Sequence, residues 1–357
     1  MVLLHLLRWL RANTDIPFEI LLKDGNGQLR HDFEDLGSVS VWNSGGKEFL
    51  QERRISLIYS NTITNGDVLD QLDPACPVIC HVHELDYWIR HRVNPDHLRQ
   101  LQKRTRHYVA VSHAVKRSLV ANQGIAPANI DVIHEFIPVD EASCDEVQAH
   151  RVRAELGLPP DALVVGGCGT TDWRKAPDLF IQLAGTVRRR RAELGNRAHF
   201  VWVGGENQGP NFGALWHDVE LSGLADCVHF VGTQANPSPY FAIFDLFALV
   251  SREDPFPLVM LEAASFGKPV VCFDGAGGAK EFVGEDAGFV VPYLDIEAMA
   301  AKVLDLLGSD ELRHRLGAQA REKVRRHHEV AVAAPRIAAL IQRFAGESER
   351  RMDRQHV

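Results

Sequence analysis

A chain of 357 residues is longer than one hydrophobic core usually fills, so two domains are expected. With 45% hydrophobic and 24% charged residues, the composition excludes a disordered or fibrous protein. The net charge of −8 gives no global attraction to nucleic acid, so no nucleic-acid partner is expected and any phosphate site must be local.

The opening run, residues 1–11, is apolar at helical spacing, with polar interruptions and no small-residue cleavage site after it. It reads as an amphipathic core helix rather than a signal peptide. No stretch approaches the roughly 18 apolar residues of a membrane span. Strands are predicted at 17–23, 39–42, 55–60 and 77–82, then a helix over 95–106, a strand at 107–111, a helix capped by Ser112, and a strand at 129–134. Residues 138–160, rich in acids and Ala, suit a linker with a short helix. A second series follows, with strands at 162–166, 198–203, 228–230, 245–250, 270–273 and 288–291 alternating with helices, and three helices from 296 onward. Such alternation indicates parallel sheets covered by helices on both faces. The expected division is 1–140, a linker at 141–160, a second domain at 161–330, and a C-terminal helix and tail at 331–357. The six cysteines, Cys76, Cys80, Cys144, Cys168, Cys227 and Cys272, form no C-x-x-C pair and read as reduced thiols of a cytoplasmic protein. The run Arg188–Arg191 reads as a solvated helix face.

Chemistry concentrates at the ends of predicted strands, where open α/β sheets bind ligands. After the strand at 245–250 comes Ser-Arg-Glu253-Asp254-Pro-Phe-Pro257-Leu258-Val259-Met-Leu-Glu262, and Gly267 and Pro269 stop the helix that starts near Pro257. Asp254 and Glu262 bracket the helix start, so both can face one ligand at its N-terminus. The turn Gly166-Gly-Cys-Gly169-Thr170-Thr-Asp172-Trp-Arg174-Lys175-Ala176 lets backbone approach a ligand and offers two cations for a diphosphate. It fails as a dinucleotide fingerprint because Asp172 stands where the third Gly belongs. Gly205 and Gly232 end two further strands, and Gly277-Gly278 after 270–273 suits an anion-binding nest. His81 and His83 share one strand face and could chelate a metal, but Leu85 occupies the Asp position of a metallohydrolase motif, so no metal is expected.

The 251–273 segment resembles the nucleotide-sugar signature of retaining glycosyltransferases of the GT-B fold, family 4: an acid, seven residues, then Glu. Asp254 matches the first acid, Glu253 preceding it by one, and Pro257 replaces the usual Gly. Lys175 matches the family's pyrophosphate-gripping Lys; Thr170 stands at the usual Arg and Ala176 at the usual Gly, leaving Arg174 to supply charge. His83 matches a His close to the transferred sugar. The resemblance implies two doubly wound Rossmann-like domains. It also implies that the N-terminal one lacks its first strand, since the chain opens inside a helix, short of the family pattern by about 10–20 residues.

What the resemblance implies for function is transfer of a sugar, with retention and without a metal or cofactor, from a nucleoside diphosphate sugar to a saccharide or lipid-linked acceptor of surface polysaccharide synthesis. The implied catalytic set is His83, Lys175, Asp254 and Glu262. The implied donor-binding set adds Gly169, Thr170, Arg174, Gly205, Gly232, Glu253, Pro257, Leu258, Val259, Gly277 and Gly278. A peripheral contact at the inner membrane face, through the first helix with Arg8, Trp9 and Arg11, goes with such acceptors. A GT-B epimerase, or a nucleotide-sugar-binding protein without transferase activity, is the alternative.

Overall fold

The computed structural model describes residues 1–27, 29–42, 55–72, 76–139, 145–195 and 197–355; Cys144 and the start of the expected linker lie outside them. The chain divides into two compact units, one built from 1–136 with 330–357 and the other from 137–329.

The second unit is a six-stranded parallel sheet of β7 (Leu163–Cys168), β8 (Ala198–Val203), β9 (Val228–Phe230), β10 (Leu246–Leu249), β11 (Val270–Phe273) and β12 (Gly288–Val291) in the order β12-β11-β10-β7-β8-β9. Its strands β10 and β11 are continuous apolar runs, and β8 is interrupted only by His199, because both faces are covered. Phe180 of the Pro177–Arg190 helix meets Phe200 and Trp202 of β8 edge-on, with ring centroids 5.6 and 5.3 Å apart. The chain runs outward from β7 through β8 to β9, then crosses back to β10 on the other side of β7. This reversal opens a crevice beyond the carboxyl ends of β7 and β10. The two turns that sequence reading selects, 169–176 and 250–257, follow those two strands.

The first unit has a parallel sheet of β3 (Ile58–Ser60), β4 (Val78–Val82), β5 (Thr105–Ala110) and β6 (Ile130–Val132) in that order, and a separate parallel ladder of β1 (Ile20–Leu22) with β2 (Val39–Val41). Among the described residues no strand joins the ladder to β3. The Val2–Asn13 helix buries Leu4, Leu6, Leu7 and Leu10 and packs on the Val330–Gln355 helix. Its charged face is tied down as well, with Arg8 paired to Asp32 at 2.9 Å.

Domain boundaries differ from expectation at both joins. The Glu146–Glu155 helix, expected in a linker, belongs to the second unit, where it packs on the Ser238–Ile243 helix. The C-terminal helix belongs to the first unit: Arg336 donates to the Val132 carbonyl at 2.8 Å, and the Phe344 ring lies tilted against that of His107, centroids 5.2 Å apart. Both docking partners are distant in sequence, so hydrophobic periodicity could assign the helices but not the bodies they complete. The short helices Ser238–Ile243 and Ala279–Val283 were not predicted, being too short to show a period.

Candidate functional site

The loop after β7 is shaped by Asp172, which sequence reading treats only as a departure from a Gly motif. Thr170 Oγ1 donates to Asp172 Oδ2 at 2.7 Å, and the Lys175 amide donates to Oδ1 at 3.0 Å. Burial would raise the Asp172 pKa, but these hydrogen bonds and Arg174 bring it below the ordinary carboxylate value. The loop closes at Ala176, a fully buried residue with φ 59° and ψ 51° at the N-cap of the Pro177–Arg190 helix. Left-handed backbone favours Gly, which accounts physically for Ala176 being an exception there.

That loop turns Lys175 toward the acidic turn after β10. Lys175 Nζ donates to Asp254 Oδ2 at 2.5 Å, and Arg174 Nη1 lies 3.8 Å from the same oxygen. Asp254 is 5% exposed, so its carboxylate is turned onto Lys175 rather than outward beside Glu262 toward a ligand, as its spacing had led us to expect. A buried lysine requires a counter-charge, and this pairing supplies one. Arg252, another residue that sequence reading missed, latches the two loops together. It grips Asp178 with two bonds of 2.9 and 2.6 Å, donates to the Trp173 carbonyl at 3.0 Å, and its backbone amide donates to the Arg174 carbonyl at 2.8 Å.

The turn is tied equally to the loop after β11. Asp254 and Gly277 form a parallel bridge; the Asp254 amide donates to the Ala276 carbonyl at 2.7 Å and the Gly278 amide to the Asp254 carbonyl at 3.2 Å. The nest expected at Gly277-Gly278 is therefore corrected. Gly278 spends its N–H on protein, because the two turns pack as adjoining strand ends.

Pro257 is the N-cap of the Leu258–Ser265 helix, one position before its expected place inside the first turn. Leu258 and Val259 supply the first amides, and Glu262 follows one turn later, half-buried. Burial raises the Glu262 pKa while the charge of Lys175 acts against it. Burial and Glu262 likewise push the Cys168 thiol up to about 12, again opposed by Lys175. Lys175, Asp254, Glu262 and Cys168 thus share one electrostatic neighbourhood.

Gly204 and Gly205 hold the far wall of the β7 loop. A Cβ on Gly205 (φ 72°) would meet the Thr171 amide nitrogen at 2.7 Å. The Gly204 amide donates to the Gly232 carbonyl at 2.8 Å, and a Cβ on Gly232 (φ 71°) would meet Asn207 at 2.8 Å. Gly169, Gly205 and Gly232 therefore line the ends of three adjacent strands, β7, β8 and β9. Of the fifteen residues selected from sequence, all except His83 lie at the strand ends of this unit. Glu253 is half-buried at its rim.

His83 belongs to the first unit, just beyond β4. Its Nδ1 lies 2.6 Å from Glu135 Oε1 and its Nε2 3.1 Å from Asn61 Oδ1. His81 is buried, with Nδ1 2.7 Å from the Tyr59 hydroxyl, as suits a core histidine. Glu84 accepts bonds from Thr62 Oγ1, the Ile63 amide and the His83 amide, fastening the loop after β3 to the end of β4.

A strand reversal that gathers two cations, a helix N-terminus and a buried acid suits a phosphorylated ligand with hydroxyls. The chain matches the family model for glycosyl transferases group 1 over residues 149–323 and that for glycosyltransferase family 4 over 33–141, which together span most of it. The chain belongs to glycosyltransferase family 4. As a family member it is 34% identical over 165 residues to a D-inositol 3-phosphate glycosyltransferase of Stackebrandtia nassauensis, an alignment covering 45% of this chain and 37% of that one. It is 30% identical over 194 residues to the lipopolysaccharide core biosynthesis mannosyltransferase LpsB of Rhizobium meliloti, covering 51% and 53%. The alignments span between a third and about half of the length of these curated relatives. Among solved structures, Anabaena Alr3699/HepE in complex with UDP superposes with a TM-score of 0.79 at 19% identity, covering 96% of this chain and 95% of that one. Sucrose-phosphate synthase of Thermosynechococcus elongatus superposes at 0.70 and 19% identity, covering 94% and 81%. The fold is that of GT-B glycosyltransferases, two Rossmann-like domains, as the sequence resemblance implied.

Proposed function

We propose that this chain transfers a sugar from a nucleoside diphosphate sugar to a saccharide or lipid-linked acceptor. The observation that carries this reading is the Lys175–Asp254 pair, which holds an ammonium group at the strand reversal, on the turn that leads into the Leu258–Ser265 helix. On donor binding Lys175 and Arg174 neutralise charge growing on the leaving diphosphate, and the helix amides add their dipoles. Glu262 accepts hydrogen bonds from ribose hydroxyls. Gly169, Thr170, Gly205 and Gly232 let the nucleotide lie against backbone, and Gly277, Gly278 and Glu253 border the sugar. Asp254 aligns Lys175, and His83 meets the sugar or its phosphate. The family likeness favours retention by same-face attack without a protein nucleophile. A lysine, an arginine and a helix N-terminus together supply the positive charge that a divalent ion would otherwise bring, which supports metal-independent transfer.

Relatives whose names give an inositol 3-phosphate and a lipopolysaccharide core support an acceptor that offers a hydroxyl of a phosphorylated polyol or of a saccharide. No described helix is long and apolar enough to cross a membrane. The Val2–Asn13 helix spends its apolar face inside the first unit, so peripheral contact is better supported by the exposed Tyr87 and Trp88 beside Arg90 and Arg92.

A neighbour of the same fold solved with UDP-glucose makes that donor the first probe. Thermal-shift screening of UDP- and GDP-sugars is expected to raise the melting temperature for one donor, by mass action on the native state. Incubation of that donor with extended saccharide acceptors should then release nucleoside diphosphate. An epimerised sugar released without acceptor, or binding without turnover, would overturn the transferase reading.

A further inference from the structure

The first unit holds a buried polar cluster of which the proposed function uses only His83. Both ring nitrogens of His83 face oxygen atoms, Glu135 Oε1 at 2.6 Å and Asn61 Oδ1 at 3.1 Å. A carboxylate oxygen and an amide oxygen only accept, so each nitrogen facing one carries a proton. An imidazole protonated on both nitrogens is a cation.

The surroundings decide whether such a cation is tolerated. Burial opposes it, and the amino terminus acts the same way; the Glu135 carboxylate, its hydrogen bond and the nearby Glu84 favour it, and the net pKa direction is upward. Glu135 has a side chain only 6% exposed, so its attraction is little screened. On the other side stand Tyr59 and His81, the latter with its ring 4.1 Å from that of His83. His81 is held neutral by burial and by the charge of His83, and burial raises the Tyr59 pKa, so neither competes for the role of cation. Glu84 is committed to the loop that carries Asn61 and leaves Glu135 as the direct partner.

We propose that Glu135 is a positioning residue that fixes His83 as an imidazolium, its Nε2–H edge presented to an oxygen of a phosphorylated sugar that replaces Asn61. The identity of that ligand rests on the donor reading above; the charge state does not. An imidazolium has no lone pair, so His83 donates and stabilises negative charge, and does not take a proton from an acceptor hydroxyl.

The test is nitrogen-15 NMR of the full chain labelled at histidine, with the His83 signals assigned by their loss in His83→Asn. In the wild type both ring nitrogens are expected to be protonated at pH 7, with a titration midpoint above that of free imidazole. In Glu135→Gln the midpoint should fall by at least one unit, roughly a tenfold drop in the charged fraction above it. Glu135→Asp, which keeps the charge on a shorter arm, should fall between the two and serves if the Gln variant misfolds by circular dichroism. A neutral His83 in the wild type, or an unchanged midpoint in Glu135→Gln, would overturn the proposal. Neither measurement involves a nucleotide. A failed donor screen with the expected titration counts against the donor reading alone.

Discussion

Lys175 Nζ sits 2.5 Å from Asp254 Oδ2, although the two residues are 79 positions apart in the chain. The contact exists because β7 and β10, remote in sequence, are neighbours at the strand reversal, so the turns that follow them meet. If Lys175 stabilises the leaving diphosphate, Lys175→Ala should reduce transfer by 10²–10³, about 2.7–4 kcal/mol. A donor-release assay at saturating acceptor measures this directly.

The same pair makes a separate prediction about stability. Lys175→Met leaves the buried Asp254 with the Ser251 hydroxyl at 3.5 Å and Arg174 at 3.8 Å, and should cost about 3 kcal/mol, the usual penalty for stranding one member of a buried pair. Lys175→Met with Asp254→Asn removes both charges and should recover most of that loss. Urea denaturation of the two variants tests it; equal destabilisation would show that the pair is not what the fold depends on.

Backbone space at Gly205 is a requirement rather than a habit of turns. Gly205→Ala adds a left-handed cost of about 1–2 kcal/mol and a clash with the Thr171 amide nitrogen, worth about 1–3 kcal/mol more. Gly223 has a similar φ of 63° with nothing within 4 Å of its added Cβ. Gly223→Ala should therefore cost only about 1–2 kcal/mol and leave the donor-induced thermal shift intact, while Gly205→Ala abolishes it.

Ala176→Gly should be close to neutral. It relieves about 1–2 kcal/mol of left-handed strain but loses a buried methyl worth about 0.8 kcal/mol and adds a comparable chain-entropy cost. Ala184, equally buried in the middle of the Pro177–Arg190 helix, has no strain to relieve. Ala184→Gly should cost about 2 kcal/mol. Parallel melting curves decide between them.

Acid sensitivity should trace in part to His229. Burial, then the charge of neighbouring His199, lowers its pKa from 6.5 to about 4, against the pull of Asp226. Between those values the unfolded chain binds the proton and the folded chain does not, so the contribution is full above pH 6.5 and is lost as pH falls toward 4. His229→Gln removes this term, and its melting temperature should decline less steeply than that of the wild type over that interval.

Much of this was legible in the residues themselves. Apolar runs closed by Gly or Pro mark nearly every strand of the second unit, and the glycines at 169, 205 and 232 stand where backbone has to pass close to backbone. The acid–Glu spacing of 254 and 262 marked the start of the Leu258–Ser265 helix. What could not be read is the work of Arg252 on Asp178 and of Glu135 behind His83, whose partners are remote, and of Asp172, whose bonds within its own loop follow no sequence period. A lone Glu after a short strand carries no local signal, since its meaning lies in a contact 52 positions away. The direction of Asp254 was misjudged for the same reason: spacing describes a helix start, while the nearest counter-charge lies on another strand.

Because the 137–329 unit is continuous in sequence and the other is interrupted by it, the order of events during translation differs for the two. The inner unit can close as soon as its last strand and helices leave the ribosome. The outer unit cannot, since the Val2–Asn13 helix waits for a partner that is synthesised only after the 137–329 unit. Until residues 330–355 emerge, the Val2–Asn13 helix lacks the helix it packs on. The nascent chain therefore passes through a stage in which a finished inner unit carries an unfinished outer one, the stage at which holdase chaperones should bind it most strongly.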